Sequence, residues 1–381
     1  MARRTKAHAE KNLEVFRVML GANIPVKLES LPGAGKTSLI NGAFRASNGF
    51  LRTMVAVNHD PTDFGGMPKT FEDFYRLVPG EWAVELVQAV QTYPIVGLFL
   101  DEVNTGGRAV LASLLKVVDE RIVGFLRLPP EIRVILAMNP AEANGGVDLT
   151  PAMANRVSHL PFEFPLAWWA DMMRTGFKDG DPIIIPNADD LTAAELRYGA
   201  LIADFSQSGA ASKFEEYPDD VAERSKAFPT RRTWTLSARA LAAAELMGYD
   251  SMVQRLALES LVGKRSAEEF EDWRDSQNGM DPEAMLNAPD TFPLPERDDA
   301  LFTALDRMVA VALQNPTQGY IDGACTILIR VGVDRPGVAA AGMRNVALFL
   351  RENRNFISPK VQEAIRLFKP VIDAAGGMGL D

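Results

Sequence analysis

Short apolar runs alternate with amphipathic segments along the first 165 residues of the chain. The apolar runs predict five strands: Val26–Glu29, Thr53–Val57, Ile95–Leu100, Arg133–Met138 and Val157–Phe162. The clearest helix between them is Arg108–Glu120, whose apolar residues recur on one broad face, with Thr105 as its predicted N-cap. Strands that alternate with helices are typical of a parallel sheet covered by helices, so the pattern predicts an α/β fold.

Beyond Pro165 the strand pattern ends and helical periodicity takes over. Two segments rich in turn-forming residues, Lys178–Asp190 and Asn278–Arg297, are predicted to be loops, and the second is a predicted domain boundary. The other segments predict helices at Thr192–Gln207, Trp234–Met247, Met252–Lys264, Asp299–Gln314, Gly319–Val331, Gly337–Arg351 and Lys360–Ala374. We therefore expect three domains, at residues 1–165, 166–280 and 281–381.

The composition is that of an ordinary folded protein, with 47% hydrophobic and 24% charged residues, which excludes a disordered or collagen-like chain. The longest apolar stretches are far shorter than the ~20 residues of a membrane span, and the charged N-terminal segment does not resemble a signal peptide, so a cytoplasmic protein is expected. One cysteine and three scattered histidines predict no Cys/His metal site. The formal charge of −10 argues against a nucleic-acid partner and mildly favours a protein partner.

The sharpest local signal is the segment Ser30-Leu-Pro-Gly-Ala-Gly-Lys-Thr37, between the strand Val26–Glu29 and a predicted helix at Ser38–Ala46. Gly33 and Gly35 permit a tight turn whose N–H groups can point at phosphates, Lys36 supplies a cation, and Thr37 supplies a hydroxyl for Mg²⁺. The strict phosphate-loop pattern begins with glycine, and here that position is Ser30. Taken alone, the segment could be a chance turn, but its place between strand and helix favours a phosphate loop.

The second signal is a pair of acids, Asp101 and Glu102, directly after the apolar run Leu98-Phe-Leu. Open α/β sheets bind ligands at the carboxyl ends of their strands, which is where this pair lies. There Asp101 would hold the Mg²⁺ shell, and Glu102 would orient and deprotonate an attacking water. The alternative is that both acids only cap the next helix.

Three further features of the sequence carry candidate chemistry. Asn139 follows the strand Arg133–Met138, where it could touch a terminal phosphate, although Asn-Pro is also a common turn. Arg156 could stabilise transition-state charge at a neighbouring subunit's nucleotide, or it could be an ordinary surface arginine. Arg231 and Arg232 open a predicted helix, where a cation opposes the helix dipole unless an anion compensates. That anion is either a phosphate or an acidic side chain such as Asp219, Asp220 or Glu223.

In this order, the five features resemble those of the AAA+ ATPases, and among them the MoxR family. The segments that carry the resemblance are Leu31-Pro-Gly-Ala-Gly-Lys-Thr-Ser, Asp60-Pro-Thr-Asp-Phe-Gly-Gly-Met-Pro, Phe99-Leu-Asp-Glu-Val-Asn, Leu111-Ala-Ser-Leu-Leu-Lys-Val-Val-Asp-Glu-Arg-Ile-Val-Gly, Ala137-Met-Asn-Pro-Ala-Glu and Pro229-Thr-Arg-Arg-Thr-Trp. It extends over about residues 15–250, and after residue 297 only the helical character matches. The resemblance implies an AAA+ P-loop NTPase core with a parallel five-stranded sheet, an α-helical lid, and a helical C-terminal region.

The resemblance also implies a role for each candidate residue. ATP and Mg²⁺ would be the cofactors. Nucleotide would be bound by Pro32, Gly33, Ala34, Gly35, Lys36, Thr37, Ser38 and Asp101, and Mg²⁺ by Thr37 and Asp101, partly through water. The catalytic residues would be Glu102 as the Walker B base, Asn139 as sensor 1, Arg156 as an arginine finger acting in trans, and Arg232 as sensor 2 on the lid, with Arg231 as the alternative.

The favoured function is an ATP-hydrolysing MoxR-like AAA+ protein, which acts as an oligomeric remodeller or chaperone on a partner protein. The resemblance implies a hexameric ring and, as partner, a von Willebrand factor A-domain protein or another protein client. Two alternatives stay open: a nucleic-acid-associated AAA+ motor, and a nucleotide-gated assembly module with little turnover, which the serine at position 30 keeps open. The turn Gly65-Gly66-Met67-Pro68 is either a plain tight turn or a flexible loop that touches a substrate.

Overall fold

The computed structural model describes residues 2–140, 146–163, 166–175, 181–278, 280–295 and 298–370 of the chain. The chain divides into two compact units, one formed by residues 1–203 and 213–268 and the other by residues 204–212 and 269–381. The division into three domains at residues 165 and 280 stays a prediction.

The first unit contains a sheet of five parallel strands. They are β1 (Val26–Glu29), β2 (Phe50–Val55), β5 (Val96–Asp101), β8 (Arg133–Met138) and β9 (Ser158–Pro161), in the order β2-β5-β8-β1-β9. The bounds of β1 and β8 are the predicted ones, whereas β2 begins three residues earlier than predicted and ends at Val55, where a 3₁₀ turn over Ala56–Asn58 replaces the strand. The predicted parallel α/β fold is confirmed.

The middle of this sheet is buried on both faces. Leu98, Phe99 and Leu100 of β5, and Ile135 and Leu136 of β8, are fully buried. Parallel strands covered by helices consist of continuous apolar runs rather than alternating ones, because water reaches neither face. Such continuous apolar runs mark β5 and β8 in the sequence.

Helices pack against both faces of the sheet. In the first unit they are α1 (Ala2–Ala22), α2 (Lys36–Ala46), α3 (Pro61–Gly65), α4 (Glu81–Ala89), α5 (Gly107–Glu120), α6 (Pro151–Ala154), α7 (Leu166–Thr175), most of α8 (Ala188–Gln207), α9 (Arg231–Leu246), α10 (Ser251–Val262) and only the start, residues 264–268, of α11 (Lys264–Asn278). The prediction that Thr105 is the N-cap of α5 is wrong, because the N-cap is Gly106. The Thr105 hydroxyl donates to the Glu102 carbonyl instead. The predicted loop Lys178–Asp190 lies partly outside the described residues, and its end, from Ala188, is already helical.

Two small antiparallel hairpins lie beside the sheet and were not predicted. They are β3 (Met67–Thr70) with β4 (Tyr75–Val78), and β6 (Ile122–Val123) with β7 (Leu126–Arg127). Their backbones touch: a Cβ on Gly66 would lie 2.6 Å from Gly124 Cα, and the Gly124 N–H donates to the Gly65 carbonyl at 3.1 Å. Glycine is needed at this contact because both its positive φ and its lack of a side chain are used.

The second unit is helical, with α12 (Pro282–Asn287), α13 (Asp298–Gln314), α14 (Gln318–Asp334), α15 (Pro336–Glu352) and α16 (Pro359–Leu367) around an apolar core. The expectation of a loop throughout Asn278–Arg297 is wrong, because α12 forms inside it. Asp281 caps α12 by accepting from the Glu283 N–H at 3.1 Å, and Met285 and Leu286 are buried. Residues 371–374 of the predicted last helix lie outside the described residues.

None of the helices within the described ranges combines the length and hydrophobicity that crossing a membrane requires.

Candidate active site

The loop between β1 and α2 has the backbone of an anion cradle. Gly33 and Gly35 have φ of 77° and 90°, values that side chains of other residues rarely adopt, and no atom lies within 4 Å of a Cβ built on either. Gly35 is the N-cap of α2 and offers no side chain to the first N–H groups of the helix. Such N–H groups, at the positive end of a helix dipole, are a suitable site for a phosphate.

Lys36, the first residue of α2, links this loop to the end of β8. Its ammonium donates to the Ser30 hydroxyl at 2.7 Å, to the Ser30 carbonyl at 3.1 Å and to Asn139 Oδ1 at 3.1 Å. Lys36 is 8% exposed, and burial lowers the pKa of its ammonium, while the carboxylates of Asp101 and Glu102 act in the opposite direction. The structure thus brings Lys36 and Asn139 together as neighbours of adjacent strands β1 and β8.

Thr37 and Asp101 form the second contact of the site. The Thr37 hydroxyl donates to Asp101 Oδ2 at 3.2 Å, and the other carboxylate oxygen accepts the Glu102 N–H at 2.9 Å. One hydroxyl and one carboxylate are the oxygen ligands that Mg²⁺ takes when it is shared with a nucleotide, because this ion keeps several waters and uses few protein ligands. The pair fits the predicted metal site.

Glu102 has a left-handed backbone, with φ of 51°. This conformation costs about 1 kcal/mol in a residue other than glycine. The turn is held by the N–H and the hydroxyl of Thr105, which both donate to the Glu102 carbonyl, at 3.0 and 2.8 Å. Strain of this kind often occurs at functional sites, where it aims a side chain. Neither acid caps α5, whose N-cap is Gly106, so the alternative of simple helix capping is not what the structure shows.

Asn104 is a buried polar residue at this edge to which the sequence analysis gave no role. It is 1% exposed, and its side-chain N–H₂ donates to the Asn139 carbonyl at 2.8 Å. Its own carbonyl accepts the Val147 N–H at 3.0 Å. Asn104 therefore holds the backbone of Asn139 in place. In the sequence, Asn104 is the polar residue that ends the segment Phe99-Leu-Asp-Glu-Val-Asn, and its place shortly after a strand end is the signal that could have indicated a role.

Arg156 and Arg232 lie together, but not at Lys36. Both form ion pairs with Asp119: Arg156 Nε is 2.8 Å from Oδ2, and Arg232 Nη1 is 2.5 Å from Oδ1. Burial opposes ionisation of Asp119, yet the two guanidinium groups outweigh it and lower the pKa of this carboxyl. The structure therefore joins the predicted finger and the predicted sensor 2 through one carboxylate.

The position of Asp119 in the topology shows where this cluster lies. Helix α5 starts after the carboxyl end of β5 and ends at Glu120, before the hairpin that leads to the amino end of β8. Arg156 lies two residues before β9 begins. The cluster is thus at the amino edge of the sheet, roughly 20 Å from the carboxyl edge, which is the length of a six-residue strand.

The acidic partners suggested for Arg231 and Arg232, Asp219, Asp220 and Glu223, were wrong. Arg232 pairs with Asp119, which lies 113 residues earlier in the chain. The Arg231 side chain is 86% exposed and its Nε lies 3.0 Å from Glu215 Oε1. Because Asp119 is so distant from Arg232 in the sequence, residue spacing could not predict that the two side chains form an ion pair.

A cavity of about 650 Å³ lies at the carboxyl ends of β1, β8 and β9, beside the phosphate loop rather than over it. Its lining includes Glu29, Pro140, Lys226 and His159. Burial, and then the nearby Lys27, lower the pKa of His159 to about 3, so its ring is neutral. The ring also has a partner, since Nε2 lies 2.9 Å from the Ala154 carbonyl oxygen.

Comparison with known proteins gives likenesses of low identity. No protein-family model and no curated protein matches the chain. A candidate ATPase from Cytophaga hutchinsonii is 15% identical, with a TM-score of 0.42, over 68% of this chain and 90% of that one. An MCM homologue from Methanopyrus kandleri is 13% identical, with a TM-score of 0.36, over 69% and 54%. NtrX from Brucella abortus is 15% identical, with a TM-score of 0.23, over 97% and 71%.

At TM-scores of 0.42 and below, these likenesses carry no argument about function. The fold class rests instead on the strand order β2-β5-β8-β1-β9, the glycine-rich loop between β1 and α2, and the helical remainder of the chain. These features are those of the predicted AAA+ P-loop NTPase core followed by helical regions.

Proposed function

We propose that this chain is a MoxR-like AAA+ ATPase, which binds ATP with Mg²⁺ and hydrolyses it to ADP and phosphate. The observation that carries the proposal is the convergence of three strand ends at one edge of the sheet. Lys36 from the loop after β1 contacts Asn139 after β8, and Thr37 contacts Asp101 at the end of β5. A phosphate loop uses both groups, the lysine to bind phosphate oxygens and the carboxylate to hold Mg²⁺.

The nucleotide would be held by the segment from Pro32 to Ser38, through backbone N–H groups and the Lys36 ammonium. Thr37 and Asp101 would hold Mg²⁺, partly through water, and the metal would supply positive charge that neutralises the phosphates. Gly33 and Gly35 support this assignment, since their positive φ directs the loop backbone without a side chain in the way. These residues would therefore supply the N–H groups, the cation and the Mg²⁺ ligands that a bound triphosphate requires.

Glu102 is the proposed general base. Its strained backbone is next to Asp101, and among the described residues no hydrogen bond or ion pair engages its side-chain carboxylate, which leaves that group available to orient and deprotonate a water. Asn139 would contact the terminal phosphate and the same water once Lys36 releases it. Asn104 would keep the Asn139 backbone in place during this exchange.

The arginine cluster supports action between subunits. Arg156 lies at the amino edge, away from the phosphate loop of its own chain, so it would serve the nucleotide of a neighbouring copy. This arrangement requires an oligomer, for which we propose a hexameric ring. Sensor 2 would then be Arg232 rather than Arg231, because Arg231 is almost fully exposed and pairs with Glu215.

The proposed role of the ring is to remodel a protein client, with a von Willebrand factor A-domain protein as the expected partner. An exposed aromatic tip supports a protein-binding role: Phe71 and Phe74 stack at 5.0 Å at the end of the β3–β4 hairpin and are 43% and 61% exposed. The net charge of −10 favours a protein client over nucleic acid.

Phosphate release by the full chain tests the proposed activity. Glu102→Gln should keep ATP binding and reduce hydrolysis by about 10²-fold or more, the size of the effect of a positioned base. Lys36→Ala should weaken ATP binding itself. The matched control is Glu120→Gln, an exposed acid at the end of α5 that should change neither quantity. Equal hydrolysis by the wild type and Glu102→Gln would reject Glu102 as the base.

A further inference from the structure

Ser30 occupies the first position of the phosphate loop, where the strict pattern has glycine, and its side chain takes part in the site. The hydroxyl accepts from Lys36 at 2.7 Å, the shortest of the three contacts of this ammonium. The same hydroxyl donates to the Leu31 carbonyl at 3.1 Å, so its proton points away and its lone pairs face the lysine.

The Lys36 ammonium is fully occupied by this arrangement. An ammonium has three donors, and Lys36 has three oxygen acceptors: the Ser30 hydroxyl, the Ser30 carbonyl and Asn139 Oδ1. The residue is 8% exposed, so water has little access to replace any of them. A glycine at position 30 would offer only the carbonyl, and one donor would be left for an incoming ligand.

A triphosphate that presents two oxygens to Lys36 must therefore displace two of the three acceptors. The Ser30 carbonyl belongs to the loop backbone and moves only with it. The two side-chain acceptors, the Ser30 hydroxyl and the Asn139 amide, are the ones that can leave by bond rotation.

We infer that Ser30 is a built-in competitor of the nucleotide phosphates for Lys36. As a positioning residue it holds the Lys36 ammonium and lowers the affinity for a nucleoside triphosphate. When a phosphate displaces the Ser30 hydroxyl from Lys36, Asn139 is released from the same ammonium and becomes free to contact the phosphate. This inference rests on the proposed function and adds a regulation of the same site: binding is weakened by a group of the protein, while the catalytic residues stay complete.

If the Ser30 hydroxyl had a purely structural role, its removal would change the ATP affinity in the opposite direction. If Ser30 only fastens the loop, its removal would loosen the cradle, and ATP affinity would fall together with the melting temperature. If it competes, its removal raises ATP affinity even though a native hydrogen bond is lost. The sign of the change in affinity separates the two roles.

The experiment is calorimetric titration of ATP with Mg²⁺ into the full chain carrying Glu102→Gln, which limits turnover. Ser30→Ala should tighten ATP binding at least about fivefold, because a hydrogen bond to a charged group is no longer lost on binding. Ser30→Gly, the residue of the strict pattern, should do the same and guards against a folding defect in the alanine variant. Ser30→Thr keeps a hydroxyl and should stay near the starting affinity.

Ser113→Ala is the matched control, since it removes a hydroxyl that bonds the Val110 carbonyl at 2.8 Å within α5, away from the loop. Unchanged or weaker ATP binding in both Ser30→Ala and Ser30→Gly would overturn the inference while leaving the proposed function intact. Absence of ATP binding in the folded parent and in every variant would instead overturn the proposed function, and the inference with it.

Discussion

The two edges of the sheet hold charge in opposite ways. At the carboxyl edge a cation, Lys36, sits among uncharged oxygens, and burial lowers its pKa. At the amino edge an anion, Asp119, sits between two guanidinium groups, which lower the pKa of its carboxyl. The first edge can exchange neutral oxygens for phosphate oxygens, whereas the second carries a net positive charge of its own.

This difference suits the two edges to different proposed roles, nucleotide binding at the carboxyl edge and contact with the nucleotide of another copy at the amino edge. At the carboxyl edge the proposed nucleotide-binding residues of one chain already contact one another in pairs, Lys36 with Asn139 and Thr37 with Asp101. At the amino edge Arg156 and Arg232 share the single carboxylate of Asp119, so under the proposed function they would have positive charge to offer to an anion of another molecule. A second copy of the chain that presents its carboxyl edge would supply one, and both edges would then form a single site.

The largest expected effect is on ATP hydrolysis, when one variant of the chain carries a defect at the carboxyl edge and a second variant carries a defect at the amino edge. Lys36→Ala and Arg156→Ala should each lose at least about 10²-fold of hydrolysis, because removal of an arginine finger costs 10³-fold or more in related chemistry. A mixture of the two variants should regain a measurable part of the activity. The regained activity would come from interfaces at which an intact phosphate loop meets an intact Arg156.

Phosphate release from the mixed variants is the measurement. A mixture of Lys36→Ala with Glu102→Gln serves as the control, since both defects lie at the same edge and no interface becomes complete. If the Lys36→Ala and Arg156→Ala mixture stayed as inactive as its components, Arg156 would act within its own chain or not at all.

A smaller effect is expected when the carboxylate at the amino edge is neutralised. Asp119→Asn should lower the free energy of unfolding by about 1 kcal/mol at pH 7, the upper range for a partly exposed ion pair. The pKa of Asp119 is lowered in the folded protein, so its stabilisation is fully present above the unfolded value near pH 4 and is lost as the pH falls further. The deficit of the variant should therefore shrink from pH 7 to pH 3.

Urea denaturation at the two pH values measures this change, with Glu120→Gln as the neighbouring control. An equal deficit at pH 7 and pH 3 would show that Asp119 stabilises the protein by packing rather than by charge.

The smallest effect concerns the strained backbone of Glu102. Glycine adopts a φ of 51° without the steric cost, and this relief exceeds the larger backbone entropy that glycine loses on folding, so Glu102→Gly should be more stable than Glu102→Ala by about 0.5 kcal/mol, although both lose hydrolysis. This ordering is the reverse of what is usual for exposed positions, where alanine is the more stable. Denaturation midpoints of the two variants decide the point, and a less stable glycine variant would mean that the left-handed turn is not strained in solution.

The parts of the fold that could be predicted are those in which local pattern and tertiary role coincide. Strand β8 is a run of apolar residues because it is buried on both faces, and its predicted bounds were correct. The hairpin of β3 and β4 was missed because its first strand is exposed along its whole length and has no apolar alternation. Helix α12 was not predicted because Pro282 is one of four prolines in a segment with the composition of a loop, although proline at the first helical position needs no N–H partner.

The site shows the same division. The loop and the acids could be predicted because a phosphate and a metal ion require certain residue types at fixed spacing between a strand and a helix. That Ser30 turns its hydroxyl to Lys36, and that Asn104 supports Asn139, depended on side-chain directions that spacing does not contain.

By itself the sequence predicted the candidate residues Lys36, Thr37, Asp101 and Asn139 of the carboxyl edge, since each lies at or shortly after the end of a strand that its apolar pattern marks. Only the tertiary structure decided the amino edge, where Asp119 joins Arg156 and Arg232 from three separate parts of the chain. The physical reason is that periodicity reports which face of an element is buried, whereas an ion pair between distant residues depends on how helices pack against the sheet. Arg232 was predicted from its own motif, but the carboxylate that it contacts lies 113 residues away and became its neighbour only through the fold.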